Sequence, residues 1–227
     1  MIYIGIDDTD IAGSRGTGHL AQLIADDLST NFHVVGVTRH QLLFDPRVPY
    51  TAKNSCAAIH LTLVTVNLPI LFNRVKAIML ANFEHGSDPG LAVASFVPQN
   101  IIDFGKKAKT DLVNQAEAFG LASQGPTLIG GLGGTNDGVI GAMAAIGLAA
   151  DGNDGRYIRI GDVRELEGFV TPRQVIDAGV SSVKQLNGDE VTEGLIQAER
   201  LRPSRRDEQP VLFVEKGEES WLPLKLD

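Results

Sequence analysis

Runs of apolar residues that fit strands alternate along the chain with stretches whose apolar spacing fits helices. Residues 2–6 predict a short buried strand, and residues 17–28 predict a helix because leucine and isoleucine recur there at helical spacing. Residues 34–43 predict a second strand. Apolar side chains alternate between two faces over residues 57–66, which predicts a third strand. Strand and helix thus alternate from the first residues onward.

The rest of the chain continues this mixture. The remaining helices are expected at residues 68–83, 101–119, 139–150 and 174–178, and the remaining strands at 91–97, 157–160, 211–214 and around Trp221. Residues 125–138 predict a glycine-rich loop, and the polar residues 187–209 predict a loosely ordered segment. Because strands and helices are interspersed, the predicted class is α+β, or mixed α/β.

Composition and charge narrow the possible functions. The 227 residues carry a net charge of −8, whereas a protein that holds nucleic acid through many phosphates is usually basic on at least one face. Arginines gather at positions 200, 202, 205 and 206, but acidic residues interleave them, which favours a solvated loop. A single cysteine, Cys56, excludes an internal disulfide. With no apolar run of about 18 residues and no signal peptide, we expect a cytoplasmic protein without membrane contact.

The most informative motif is the acidic loop Asp7-Asp8-Thr9-Asp10, which directly follows the first strand. Three carboxylates within four residues repel one another and call for a compensating cation. Mg²⁺ prefers oxygen ligands, and one or two carboxylates with nucleotide phosphates are its usual set. An Asx turn with a helix cap would explain one aspartate but not three. We therefore predict that Asp7, Asp8 and Asp10 hold metal, at the strand end where such folds bind ligands.

A glycine-containing stretch connects this loop to the first helix. Free backbone N–H groups and the positive end of the helix dipole attract anions at such a place. Arg15, Gly16 and Gly18 are therefore predicted to bind phosphate, while the hydroxyl of Thr17 is a candidate phosphate ligand or acceptor. His19 fits either a base or a surface residue. The spacing is not that of a P-loop.

Two further segments carry weaker signals. The proline-stiffened residues 39–54 contain several basic side chains, of which Lys53, with the adjacent Asn54, is the pair we predict to contact phosphate. The glycine-rich residues 130–138 precede a helix but fail the dinucleotide-binding spacing and follow no clear strand. They fit an anion-binding loop and a mobile lid equally well.

Motifs in a fixed order resemble one family. These are residues 4–10, the helix start at Thr17, residues 45–50 and residues 137–147. Together they resemble the N-terminal catalytic region of archaeal tRNA-isoleucine 2-agmatinylcytidine synthetase over residues 1–165. Residues 4–10 and residues 137–147 are the motifs that are specific to this family.

The resemblance implies a kinase-like α/β lobe associated with a ferredoxin-like lobe. On that basis residues 1–62 would begin the kinase-like lobe, and residues 63–124 would form the ferredoxin-like lobe. Residues 125–227 would add the Gly-rich loop, a helix and the C-terminal segment, and could complete the kinase-like lobe. It also implies that Asp7, Asp8 and Asp10 hold Mg²⁺ and the phosphates of ATP. Thr17 occupies the place of a family threonine that accepts phosphate from ATP.

The chain also departs from the family pattern. No basic residue directly follows Tyr50, a gap that Lys53 is expected to fill. We expect the OB-fold and zinc ribbon with which the family grips tRNA to be absent. The leading hypothesis is therefore a Mg²⁺- and ATP-dependent phosphotransferase or ligase-like enzyme with an unknown acceptor. The alternatives are tRNA processing with a helper protein, a nucleotide- or anion-binding sensor without turnover, and a homo-oligomeric scaffold.

Overall fold

The computed structural model describes residues 1–48, 53–62 and 65–226. Six α-helices and twelve strands lie within these ranges, which confirms the predicted α+β class. The helices are α1 (Thr17–Leu28), α2 (Leu68–Asn82), α3 (Gln99–Thr110), α4 (Gln115–Ala122), α5 (Gly138–Asp151) and α6 (Pro172–Asp177). None of the helices within these ranges has the length and hydrophobicity needed to cross a bilayer.

The twelve strands of the described residues join into one sheet. In chain order they are β1 (Ile2–Asp7), β2 (Val34–Gln41), β3 (Ser55–Leu61), β4 (Gly90–Ala94), β5 (Leu128–Gly131), β6 (Arg156–Arg159), β7 (Gly168–Val170), β8 (Ser182–Lys184), β9 (Ile196–Ala198), β10 (Ser204–Arg206), β11 (Gln209–Lys216) and β12 (Trp221–Pro223). Their order across the sheet is β5-β4-β1-β3-β2-β6-β10-β11-β12-β9-β7, and β8 pairs in parallel with β11.

The sheet carries helices on both faces. Ile2, Ile4 and Ile6 of β1 point to a buried cluster shared with α1 and α2. Tyr3 points the other way, to a cluster formed with α3, α4 and α5. This alternation along β1 is what a strand covered on both faces requires. A third cluster, built around Val163, Ile196 and Leu212, gives the C-terminal strands a core of their own.

The predicted division into lobes at residue 62 stays a prediction. In the described residues β1 pairs directly with β3 on one side and β4 on the other, and β4 pairs with β5. Strands before and after that boundary thus lie side by side. Helix α5, from the third predicted segment, packs on β1, β3 and β4.

The structure departs from the sequence-based expectations in several places, of which three are the clearest. The helix expected over 101–119 is two helices, because Asp111 is extended and the Asn114 side chain caps a new helix by accepting from the Glu117 N–H at 3.0 Å. A strand, β5, occupies part of the predicted Gly-rich loop 125–138 because β4 offers it a pairing edge. Residues 187–209 contain β9 and β10. Residues 49–52 of the proline loop and 63–64 of the expected third strand lie outside the described residues.

Candidate functional site

A cleft of about 750 Å³ opens where β1 ends. Its polar wall includes the predicted residues Asp7, Asp8, Asp10, Thr17, Lys53 and Asn54. Its apolar wall comes from the loop after β2, the α3–α4 connection and α5, with Leu42, Leu43, Leu112, Val113 and Ile140. Ligand cavities commonly combine an apolar wall with a few convergent polar groups. The cleft is therefore the candidate site.

Glycines allow α5 to lie directly on the strands that end at the cleft. A Cβ atom on Gly5 of β1 would come within 2.1 Å of the Ala142 carbonyl oxygen, and one on Gly90 of β4 would come within 2.0 Å of the Gly138 carbonyl carbon. Both distances exclude any side chain. This close approach brings the first turn of α5 against the end of β1, and it fixes where the acidic loop projects.

Asp7 lies in this contact. A Cβ on Gly141, in the first turn of α5, would come within 1.7 Å of Asp7 Oδ2, so only glycine leaves room for the carboxyl group. Withdrawal from solvent raises the pKa of Asp7 to about 7, and the charges of Asp8 and Asp10 add to the shift. A hydrogen bond from the Asp8 backbone opposes it in part. A cation bound to the Asp7 carboxylate would offset both its withdrawal from solvent and its repulsion by Asp8 and Asp10.

Two carboxylates that the sequence analysis missed complete the acidic wall. The pKa of Asp8 is raised, first by burial and then by the nearby charge of Asp88, with Asp10 and Asp137 contributing. Asp88 and Asp137 both line the cleft. Asp137 lies in the segment 137–147 that carried the family resemblance, which was the one available signal for it. Asp88 lies in a turn with no recognisable motif.

The other end of the acidic loop is tied to α1. Thr17 donates from its backbone N–H (3.1 Å) and its hydroxyl (2.8 Å) to Asp10 Oδ1. The same hydroxyl oxygen accepts from the Thr9 hydroxyl at 3.2 Å. Thr17 is buried, with 6% of its surface exposed, yet it borders the cleft. The Thr17 hydroxyl is thus held beside a carboxylate that can take its proton.

Some predicted phosphate ligands lie away from the cleft wall. Arg15 is exposed and its Nη1 contacts His19 Nε2 at 3.0 Å, while neither Gly16 nor Gly18 borders the cleft. Lys53 is exposed at the cleft edge. Asn54 anchors this edge, donating to the Leu43 carbonyl at 2.8 Å. Phosphate binding by these five residues stays a prediction, in which the structure favours Lys53 and Asn54 by their position.

The Gly-rich loop is attached to its surroundings by side chains. Asp88 accepts from the Thr135 N–H at 2.8 Å and from the Thr135 hydroxyl at 2.5 Å. Gln115 donates to the Thr135 carbonyl and to Asp137 Oδ1. Gly134, at φ +60°, leaves the space that the Asp88 carboxylate fills. The loop therefore closes one side of the acidic wall in the conformation seen here.

The site can offer a metal ion only a few protein ligands. Within the described ranges, no three Asp, Glu, His or Cys side chains converge on a single point. The three loop aspartates consequently do not form a cage by themselves. The carboxylate chemistry and the raised pKa values of Asp7 and Asp8 fit a Mg²⁺ ion that takes one or two carboxylates and fills its other positions with phosphate or water oxygens.

Comparison with solved structures identifies the architecture. A structure of a TiaS–tRNA(Ile2)–ATP complex matches 64% of this chain at 24% identity and a TM-score of 0.55. A complex of TiaS with tRNA(Ile2), AMPCPP and agmatine matches at 22% identity and a TM-score of 0.53, and apo TiaS, a tRNA(Ile2) agmatidine synthetase, at 23% and 0.52. The chain shares its fold with part of tRNA(Ile2) agmatidine synthetase.

The extent of this match is limited. The aligned part covers 36%, 35% and 35% of those three proteins, so the chain corresponds to about a third of their length. A tRNA fluorescent labelling enzyme matches with similar figures, a TM-score of 0.54 at 24% identity over 64% of this chain and 35% of that one. No family model matches the sequence, and no curated protein does.

Proposed function

We propose that the protein is an enzyme that binds ATP with Mg²⁺ in the cleft and transfers a phosphoryl group, or activates an acceptor for ligation. The observation that carries the proposal is the acidic wall at the end of β1, where Asp7 and Asp8 are held at raised pKa values beside an apolar wall. A Mg²⁺–nucleotide complex would bring positive charge to the acidic wall and a nucleotide base to the apolar wall. The shared fold with proteins solved together with ATP or AMPCPP supports this reading.

The chain's own residues would divide the work as follows. Asp7 and Asp8 hold the cation, and Lys53, which is exposed at the cleft edge, neutralises phosphate charge. Asp10 orients the Thr17 hydroxyl at 2.8 Å and is placed to accept its proton if Thr17 receives phosphate. Phosphoryl transfer depends mainly on such positioning and charge neutralisation. When bound, Mg²⁺ would offset the negative charge that develops on the phosphate oxygens during transfer.

The acceptor is the open part of the proposal. The solved structures of similar fold include complexes with tRNA(Ile2), so RNA is the first acceptor class to test. Because the net charge of −8 gives no overall excess of positive charge for RNA phosphates, we expect RNA binding to need a helper protein. A tRNA mixture, with and without cell extract, tests this expectation through the salt dependence of binding.

The test of the enzymatic proposal is ATP turnover by purified protein with and without Mg²⁺. Asp7→Asn should abolish Mg²⁺-dependent turnover, while the matched surface change Asp177→Asn should leave it unchanged, since Asp177 lies in α6 away from the cleft. Turnover that persists in Asp7→Asn would contradict the assignment. Mg²⁺-dependent binding without any turnover, alone or with tRNA, would favour the alternative of a nucleotide sensor.

A further inference from the structure

Four arginines lie near enough to Arg202 for their charges to act on it, and we call the five together the arginine cluster: Arg39, Arg156, Arg164, Arg200 and Arg202. Arg39 of β2 and Arg156 of β6 are directly paired in the sheet, so their side chains share a face. Arg156 also pairs with Ser204 of β10, two residues after Arg202. Arg164 joins from the turn after β6, where its Nη1 donates to the Ile158 carbonyl at 3.1 Å.

The neighbouring Arg205 does not belong to the cluster. It is 1% exposed, and its guanidinium donates to the Ala149 carbonyl, the Tyr157 hydroxyl and the Glu208 carbonyl at 2.7–3.0 Å. This arginine therefore links α5, β6 and the turn before β11. Its side chain is satisfied within the fold, whereas the Nε of Arg202 is not.

The cluster concentrates positive charge in a protein whose net charge is −8. Arg164, Arg200 and Arg202 form no ion pair with any residue that the structure describes. Burial lowers the pKa of Arg202, and the positive charges of Arg156, Arg164, Arg39 and Arg200 lower it further. The Nε of Arg202 is buried without a hydrogen-bond partner among the described atoms. A buried donor left unsatisfied among like charges destabilises the fold unless an anion meets it.

None of the cluster's arginines lines the nucleotide cleft, but hydrogen bonds through β2 connect Arg39 to a residue that does. Arg39 Nη2 donates to Gln41 Oε1 at 3.1 Å, and Gln41 Nε2 donates to the Asn54 carbonyl at 2.5 Å. Asn54 and Ser55, the sheet partner of Gln41, border the cleft. An anion held by the cluster would thus sit at the same end of the sheet as the acidic loop.

We propose that the arginine cluster is a binding site for phosphate-type oxyanions, separate from the nucleotide cleft, in which Arg202 donates its buried Nε to the anion. Guanidinium groups suit this task because their planar donors match the oxygens of a phosphate group. Two sources supply such a group, a small free phosphate and the backbone of a nucleic acid. The proposed site is inferred from the positions of the arginines, so it does not depend on ATP turnover in the cleft.

The test uses the full chain in metal-free buffer with EDTA and inorganic pyrophosphate as the small probe, titrated by calorimetry. Arg202→Gln should weaken pyrophosphate binding about tenfold, the usual cost of losing a hydrogen bond to a charged group. Arg173→Gln is the matched control, because Arg173 is exposed on α6 and pairs with Asp177 at 2.9 Å. It should leave pyrophosphate affinity unchanged.

A second probe, a short single-stranded RNA, separates the two sources of phosphate. RNA binding by the wild type, with a salt slope reduced by about one in Arg202→Gln, identifies a nucleic-acid backbone as the ligand. Pyrophosphate binding without RNA binding, lost in Arg202→Gln, identifies a small anion. The proposal is overturned if neither probe binds the wild type, or if Arg202→Gln and Arg173→Gln behave alike with both probes.

Two controls keep the result interpretable. Arg200 is exposed, so Arg200→Gln repeats the test at a position where misfolding is not expected. Asp7→Asn should retain pyrophosphate binding, and Arg202→Gln should retain the wild-type response to Mg²⁺ and ATP. A loss of pyrophosphate binding in Asp7→Asn would place the anion in the cleft and overturn the proposal. Arg202-dependent pyrophosphate binding in a protein whose ATP binding does not respond to Mg²⁺ would uphold this site while contradicting the proposed function.

Discussion

The carboxyl group of Asp7 lies against the α-carbon of Gly141, at a point where a β-carbon would come within 1.7 Å of Asp7 Oδ2. The strand that ends in the acidic loop and the helix that follows the Gly-rich loop therefore meet at one carboxylate. This contact explains why a Gly-Ile-Asp-Asp sequence and a Gly-x-x-Gly helix start, more than 130 residues apart, occur in the same chain.

Gly141→Ala should displace the Asp7 carboxyl group and weaken Mg²⁺-dependent ATP binding by at least about tenfold, since one charge-assisted contact is worth that much. Calorimetric titration of ATP measures the change. Gly120→Ala is the matched control, because Gly120 also lies in a helix but has open space around its α-carbon. Equal effects of the two variants would contradict the assigned role of Gly141.

Asp7→Asn should stabilise the metal-free protein at alkaline pH. The folded-state pKa of Asp7 is raised from 3.8 to about 7, so the folded protein binds the proton more tightly than the unfolded chain. Its contribution to stability is complete below about pH 4 and is lost as pH rises to about 7. Removing the charge should raise the free energy of unfolding at pH 8 by roughly 1–3 kcal/mol.

Urea denaturation in EDTA at pH 4 and pH 8 checks this prediction. The gain from Asp7→Asn should appear at pH 8 and vanish at pH 4. Asp177→Asn should show no such difference, because Asp177 is exposed. A destabilised Asp7→Asn protein at pH 8 would show that the carboxylate has a partner inside the fold and does not depend on a cation.

His60 should make the protein sensitive to acid. It is fully buried, its Nε2 contacts Thr38 Oγ1 at 2.8 Å, and its Nδ1 has no hydrogen-bond partner among the described atoms. Burial, followed by the charge of Arg205, lowers its pKa well below the usual value. The unfolded chain can therefore take up a proton that the folded protein excludes, so stability should fall as pH drops below about 6.5.

The change in the free energy of unfolding per pH unit, measured between pH 6.5 and pH 5, reports this effect. One excluded proton contributes up to about 1.4 kcal/mol per pH unit, and His60→Gln should remove that contribution whatever its effect at neutral pH. His33→Gln should leave the slope unchanged, because His33 lies in an exposed contact with Thr62. An unchanged slope in His60→Gln would mean that His60 is already charged in the folded protein.

The sequence predicted those parts of the fold that local pattern determines. Helices α1, α2 and α5 follow apolar spacing, and β1 follows a five-residue apolar run, so their bounds differ from the predicted ones by at most one residue. Strand β5 was missed because Leu128-Ile129-Gly130-Gly131 has no strand pattern of its own. It becomes a strand only through its pairing with β4, which is a long-range contact.

The same distinction applies to the site. Asp7, Asp8, Asp10 and Thr17 were found because they are neighbours in sequence, and the structure brings all four to the cleft. Asp88 and the arginine cluster were missed because their members meet only in the folded sheet. Arg202 and Arg205 were expected to be solvated, since acidic residues flank them in sequence. Strand β10 instead turns Arg205 inward, and Arg202 lies two residues before Ser204, the sheet partner of Arg156.

Calorimetric titration of ATP into the wild-type protein, with Mg²⁺ and then with EDTA, tests the central claim most directly. We predict a binding event that appears only with Mg²⁺, is lost in Asp7→Asn and persists in Asp177→Asn, in addition to any metal-free phosphate binding at the arginine cluster. No ATP binding under either condition, or ATP binding that Mg²⁺ does not increase, would contradict the assignment of the acidic loop as a metal–nucleotide site.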